Sequence, residues 1–122
     1  MSTLVTSNIS DGTTSVGTGY VVNGSAKHFC NWNGTGTPTI LESLNTASLT
    51  DVGAAEVTVN LSSAMSSANY GVALATSGGD RNITYSRGSS NTASSIKTYT
   101  TTLGAVAEEA SSNTTVAHGD LA

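Results

Sequence analysis

Apolar and polar residues alternate with a period of two along much of this chain, and this pattern predicts β-strands. The clearest run is Glu56–Leu61, in which every second residue is a valine or a leucine. A strand from Ala26 places two rows on opposite faces, namely His28, Cys30 and Trp32 against Lys27, Phe29 and Asn31. Because both rows carry bulky side chains, we expect this strand to lie inside a sheet.

Turn-forming residues separate several further strands. The predicted turns are Asn33–Pro38, Thr50–Gly53, Ser77–Asp80 and Arg87–Asn91. The further strands are Thr39–Leu44, Tyr70–Ala75, Asn82–Ser86, Ser95–Thr102 and Thr114–His118. Strands at a spacing of about ten residues are typical of a sandwich or a barrel. We therefore predict an all-β protein, an antiparallel β-sandwich or flattened barrel of about seven to nine strands.

Two segments depart from this alternation. Leu4–Gly24 is rich in Ser, Thr and Gly and is interrupted by Ile9 and by Tyr20–Val22. We interpret residues 1–25 as an extended N-terminal arm with two edge strands, for attachment or oligomerisation, and residues 26–122 as the sandwich domain. Only Ala105–Ala110 has helical composition, and it is shorter than two turns.

The composition limits the size of the core. Hydrophobic residues make up 37% and aromatic residues 5% of the 122 residues. The expected interior contains Phe29 or Trp32, together with Val57, Val59, Leu61, Tyr70, Val72 and Leu74. Such a core buries little apolar area per chain, so we expect a homotrimer or a similar cyclic oligomer. The small residues Gly71, Ala73 and Ala75 are the predicted contact between subunits.

Charge and cysteine content narrow the range of partners. The net charge is −4, and the only Lys and Arg residues are Lys27, Arg81, Arg87 and Lys97. Nucleic acid is therefore not an expected partner. No segment approaches the roughly 18 apolar residues that a membrane span needs, so we expect no membrane partner and synthesis in the cytoplasm. The single cysteine, Cys30, is predicted to be reduced and packed in the core.

From Ala26 onward the chain resembles a family of small tailed-bacteriophage virion proteins, which occur as fibre-associated or other structural modules. Four blocks carry this resemblance: Ala26–Gly36, Ser48–Asp51 with Val57–Leu61, Ala64–Met65 with Ala68–Tyr70, and the chain ending Val116–Ala122. The family tends to place tryptophan, valine and phenylalanine where this chain has Phe29, Cys30 and Trp32. The resemblance implies a β-sandwich on a virion, commonly trimeric, and it does not imply a catalytic site.

Three kinds of chemistry compete with a purely structural role. His28, Cys30 and His118 are soft ligands suited to zinc, although a fourth ligand is missing. A calcium site would draw on six acidic residues, Asp11, Asp51, Asp80, Glu108, Glu109 and Asp120, which lack the spacing of a calcium-binding loop. A hydrolase would need a nucleophile motif or paired carboxylates that the sequence does not show. We therefore predict no catalytic, cofactor-binding or metal-binding residues, and no enzyme activity.

The leading functional hypothesis is a structural protein on the phage surface, either a capsid decoration protein or a tail or head fibre component. Its expected partners are further copies of itself and other virion proteins, contacted through the arm. The alternative is a receptor-binding module that recognises a host surface glycan. The aromatic residues considered for sugar stacking are Trp32, Tyr70, Tyr85 and Tyr99.

Overall fold

The structure is a computed structural model. It describes residues 1–77, 81–85 and 91–122, and for residues 81–85 it describes the backbone only. The strands of this part are β1 (Asn8–Ser10), β2 (Ser15–Gly17), β3 (Ala26–Asn33), β4 (Thr39–Leu44), β5 (Thr46–Gly53), β6 (Glu56–Leu61), β7 (Gly71–Ser77), β8 (Arg81–Tyr85), β9 (Ser95–Thr102) and β10 (Ser112–His118). A short helix, α1 (Thr18–Gly24), lies between β2 and β3.

Eight of these strands form two antiparallel four-stranded sheets. The first sheet has the order β4-β3-β10-β7, and the second has the order β5-β6-β9-β8. One buried cluster joins Cys30 and Trp32 of the first sheet to Val59 and Ile96 of the second, so the sheets pack face to face. The prediction of an all-β sandwich is confirmed, and the two sheets do not close into a barrel.

A single residue carries the chain from one sheet to the other between β4 and β5. Asn45 is that residue, and it adopts a left-handed conformation with φ 55°. Its side-chain amide donates to the carbonyl oxygens of Lys27 (3.1 Å) and Ser63 (3.0 Å). Its side-chain oxygen accepts from the Ser63 N–H at 2.6 Å. Asn is the non-glycine residue best suited to this conformation, because its short polar side chain bonds to nearby backbone.

The core contains most of the predicted residues. Val57, Val59 and Leu61 are buried, as predicted. Trp32 is 1% exposed, whereas Phe29 lies half-buried on the outer face, so Trp32 is the core aromatic. The β7 residues Val72 and Leu74, together with Tyr70 just before it, are only half-buried, because β7 is an edge strand. The sequence analysis missed two large apolar residues that are fully buried, Met65 and Ile96.

Polar side chains occupy much of the interior. The buried polar residues are His28, Thr98, Thr100, Thr101, Asn113 and Thr115. Each buried hydroxyl or amide needs a partner, and the Thr98 hydroxyl donates to the Val57 carbonyl at 2.9 Å. The Asn113 amide donates to the Ala110 carbonyl at 2.8 Å. These bonds let a chain with few large apolar side chains fill its interior with threonine.

Two local interpretations of the sequence differ from the structure. Thr50–Gly53 belongs to β5, and the turn comes later, at Ala55, which has φ 62°. Both faces of β5 are largely exposed, so its sequence lacks the alternation that marks a half-buried strand. Ala105–Ala110 is not a helix; it runs beside β9, with Ala107 bridged to Thr101.

The N-terminal arm also differs from the predicted extended segment with two edge strands. β1 and β2 pair as a short antiparallel ribbon, but Tyr20–Val22 lies within α1. Helix α1 contains two glycines and two valines, and no side chain caps its first turn. We find no local physical reason for its helical conformation. The predicted turns Ser77–Asp80 and Arg87–Asn91 lie mostly outside the described residues.

Candidate functional site

The three residues considered for zinc do not come together. His28 and Cys30 both point into the core from β3. His118 lies on the outer face of β10, where its Nδ1 donates to the Gly24 carbonyl at 2.9 Å. Among the residues that the structure describes, no group of three or more His, Cys, Asp or Glu side chains is placed to hold a metal ion.

His28 is instead a buried structural side chain. Its Nε2 lies 2.8 Å from the Thr115 hydroxyl, and its Nδ1 lies 3.4 Å from the Asn45 carbonyl. A carbonyl oxygen only accepts, so the Asn45 contact favours a proton on Nδ1, from which the Thr46 hydroxyl, 3.3 Å away, can also accept. In this tautomer Nε2 accepts from Thr115. Burial lowers the pKa of His28 below its ordinary value, although the neighbouring carbonyls of Asn45 and Leu44 oppose the shift. The arrangement therefore holds the neutral imidazole.

Cys30 is a free thiol packed in the same core. Burial raises its pKa, and a hydrogen bond from Thr46 only partly offsets this effect. A thiol with a raised pKa carries little thiolate near neutral pH, so it is a poor nucleophile and a poor metal ligand.

The acidic residues considered for calcium or hydrolysis have separate local roles. The Asp11 carboxylate accepts from the N–H groups of Thr13 and Thr14 in the β1–β2 turn, and these bonds lower its pKa. The Glu109 carboxylate accepts from the Gly36 N–H at 2.8 Å. Asp51 is exposed on β5, and Asp120 is exposed near the C-terminus. Asp80 lies outside the described residues.

The aromatic residues considered for sugar stacking are mostly engaged. Trp32 is buried, and the Tyr70 hydroxyl donates to the carbonyls of Thr92 and Ser95. Tyr99 is half-buried on β9, and the side chain of Tyr85 lies outside the described part of the chain. The sequence analysis missed Tyr20, which is 80% exposed on α1. The apolar run Tyr20–Val22 was the feature of the sequence that could have identified this residue, but the run was interpreted as a strand.

Within the part of the chain whose side chains are described, the N-terminal arm contains eight of the fifteen large apolar residues that are exposed. No residue of α1 is buried. The large apolar side chains exposed in residues 1–25 are Met1, Leu4, Val5, Ile9, Val16, Tyr20, Val21 and Val22. In the ribbon, Ile9 pairs directly with Val16, so both project from one face, with exposures of 46% and 40%.

Two side chains hold the root of the arm to the outer face of the first sheet. Lys27 of β3 donates through its Nζ to the carbonyl of Val22 and, at 2.6 Å, to the Ser25 hydroxyl. The second side chain is His118 of β10, through its bond to the Gly24 carbonyl. The arm therefore leaves the sandwich above β3 and β10.

The opposite side of β3 has an open edge. β4 pairs only with β3 among the described strands, and nearly all of its residues are exposed on both faces. Ile40, Leu41 and Leu44 are its exposed apolar residues, and Leu41, at 59% exposure, occupies a bulge in the pairing with β3. We call this strand the β4 edge.

The outer face of the first sheet also carries an apolar row. Leu44, Phe29, Val116 and Ala73 are direct cross-strand neighbours from β4 to β7. Ala73 belongs to the small-residue face formed with Gly71 and Ala75, and all three residues are exposed. Their proposed role as the subunit contact stays a prediction.

No protein-family model, curated protein or solved structure matches this chain. The resemblance to phage virion proteins therefore stays a prediction based on the sequence blocks alone. In the described residues, no helix is long and apolar enough to cross a membrane.

Proposed function

We propose that this chain is a non-enzymatic structural subunit of the surface of a tailed-phage particle, where the N-terminal arm docks it onto its neighbours. It would serve there as a capsid decoration protein or as a component of a tail or head fibre. The observation that carries the proposal is the arm, which exposes eight large apolar side chains. The resemblance of the sequence blocks supports the particle surface as its location.

Apolar exposure on this scale favours a partner. Four of the eight exposed apolar side chains of the arm, those of Met1, Leu4, Val5 and Tyr20, are at least 80% exposed. Exposed apolar surface of this kind marks sites where a partner binds. The chain is otherwise short of large apolar residues, with only 5% aromatic content. Large apolar side chains are scarce in the core, yet they are concentrated on the uncovered arm. Burial of the arm in an assembly best explains this distribution.

Cryo-electron microscopy of purified particles tests the location. We expect density for the sandwich at regular positions on the capsid or a fibre, with the arm in contact with neighbouring protein. Particles made with a Leu4→Asp, Val5→Asp chain should lose this density, because the charges oppose burial of the arm. A Leu103→Asp chain is the matched control, since Leu103 is 72% exposed in the loop after β9, outside the arm. Particles without any copy of the chain would overturn the proposal.

A second candidate function is recognition of a host glycan. Tyr20 lines an open depression of about 560 Å³ together with Gly17, Gly19, Asn23 and Gly24. An exposed aromatic ring gives a sugar a flat apolar face, and the Asn23 amide both donates and accepts hydrogen bonds. A glycan array should then show binding that is lost with Tyr20→Ser and kept with Tyr99→Ser. An array with no binding to the oligomer argues against this candidate.

A further inference from the structure

We propose that the β1–β2 ribbon of one copy docks on the β4 edge of a second copy, so that each subunit of a closed ring holds the next. This inference deepens the proposed function, on which it rests for the docking role of the arm, because it names the partner. Two observations carry it: the β1–β2 ribbon has no further strand partner among the described residues, and the ribbon of the same copy leaves the β4 edge uncovered.

The ribbon lacks the neighbours that stabilise a sheet. Its strands are three residues long, and no strand of the sandwich pairs with it among the described residues. An isolated two-stranded ribbon is marginal in water, and a further strand or an apolar surface is needed to stabilise it. The paired side chains of Ile9 and Val16 form the apolar face that such a surface would cover.

The β4 edge offers what the ribbon lacks. One side of its backbone has no strand partner in the described part of the chain, so its N–H and C=O groups can pair with an added strand. Leu41 and Ile40 expose apolar surface beside this backbone. Addition of the ribbon would extend the first sheet and cover these side chains together with Ile9 and Val16.

The ribbon of this copy does not pair with its own β4 edge among the described residues. In the sheet order β4-β3-β10-β7, the arm is anchored to Lys27 on β3 and to His118 on β10. β4 lies on the other side of β3 from β10. The β4 edge of each copy therefore stays open to the ribbon of a neighbouring molecule.

Charge favours the arm over a second β4 edge as the occupant. β4 carries Glu42 and the adjacent edge strand β5 carries Asp51, with no lysine or arginine on either strand. Symmetric pairing of two such edges would bring acidic side chains together, which is unfavourable. In the first 25 residues the only charged groups are Asp11 and the terminal amine. A contact between two different surfaces repeats head to tail, and it closes into a ring where the rotation between successive copies allows closure.

Light scattering of the purified full-length chain across a hundredfold dilution gives the first test. We expect a discrete multiple of the 12.2 kDa chain mass at high concentration. Ile9→Asp and Leu41→Asp should each shift the midpoint of dissociation to at least tenfold higher concentration. Leu103→Asp is the matched control and should leave the midpoint unchanged. The emission of the buried Trp32 checks that each variant is folded.

Cross-linking between two separately purified variants identifies the contact itself. Ile9→Cys and Leu41→Cys proteins, mixed and oxidised, should form a disulfide dimer that contains one chain of each. Ile9→Cys mixed with Leu103→Cys should not. Absence of the mixed dimer would overturn the inference, as would a wild-type chain that stays at 12.2 kDa at every concentration. An oligomer that Ala73→Trp dissociates and Leu41→Asp does not would assign the interface to β7, which also overturns it.

The two proposals fail separately. A chain that is monomeric in solution but visible on particles would leave the proposed function in place and give the arm a different virion partner. A chain that forms the cross-linked ring but is missing from particles would keep this inference and overturn the proposed location.

Discussion

Replacement of Asn45 tests whether a single residue clamps the two sheets together. Asn45→Gly keeps a residue that accepts φ 55° but removes three side-chain hydrogen bonds. At about 0.5–1.5 kcal/mol for each bond, with part of the loss recovered by water at this partly exposed corner, we expect a loss of about 1.5–3 kcal/mol. Asn45→Ala removes the same bonds and adds the cost of a left-handed conformation, about 1 kcal/mol more.

Urea unfolding followed by the emission of Trp32 measures these losses. Trp32 is the only tryptophan in the chain and is fully buried, so its emission reports on the core. With an m-value of about 1–3 kcal/mol/M, a loss of about 2 kcal/mol moves the midpoint down by roughly 1 M. Protein concentration must be held constant, because association adds to apparent stability.

Asn60→Ala is the matched control for this experiment. Asn60 also bonds through its side-chain amide, to the hydroxyls of Ser48 and Thr50, but it lies on a regular strand at the surface. We expect it to cost less than about 1 kcal/mol. Equal stability of the Asn45→Gly and Asn45→Ala variants would refute the argument from backbone strain. Wild-type stability in both would refute the role of the corner as a clamp.

Three further predictions concern the interior. Because burial lowers the pKa of His28, the unfolded chain binds this proton more readily than the folded protein does. The contribution of the neutral imidazole to the free energy of unfolding is therefore complete above the unfolded pKa of about 6.5, and it falls as the pH drops below that value. Urea unfolding from pH 7.5 to pH 5 should show this decline, and His28→Gln, less stable throughout, should reduce the slope. Gly34→Ala would place a Cβ 2.9 Å from the Asn113 side-chain amide and should lower the free energy of unfolding by about 1–3 kcal/mol. Gly53→Ala is the control, because its Cβ meets nothing within 4 Å and should change stability little. The urea midpoints of the two variants test this difference. Cys30 should react with a thiol reagent only on unfolding, so prompt stoichiometric labelling in buffer would contradict its burial.

The fold class follows from the sequence because the period of a strand is a local property. β6 and β9 match their predicted bounds, since each has one face in the core and one outside. β5 was not predicted as one strand, because an edge strand with two exposed faces has no reason to alternate. The helical position of Tyr20 was missed for a related reason, because its local sequence favours no helix.

The candidate site depended on contacts between distant parts of the chain. Alternation places Phe29 and Trp32 on opposite faces, but it does not say which face is inside, and only the packing of the second sheet decides this. His28 pairs with Ala117 of β10, so the next residue, His118, points to the opposite face of the sheet, away from His28. Strand order leaves the β4 edge uncovered and places the anchors of the arm on β3 and β10. That order arises from pairing between segments that are distant in the sequence. The sequence by itself therefore determined the strands and their two faces, whereas the tertiary structure decided which face is buried and which edges remain open.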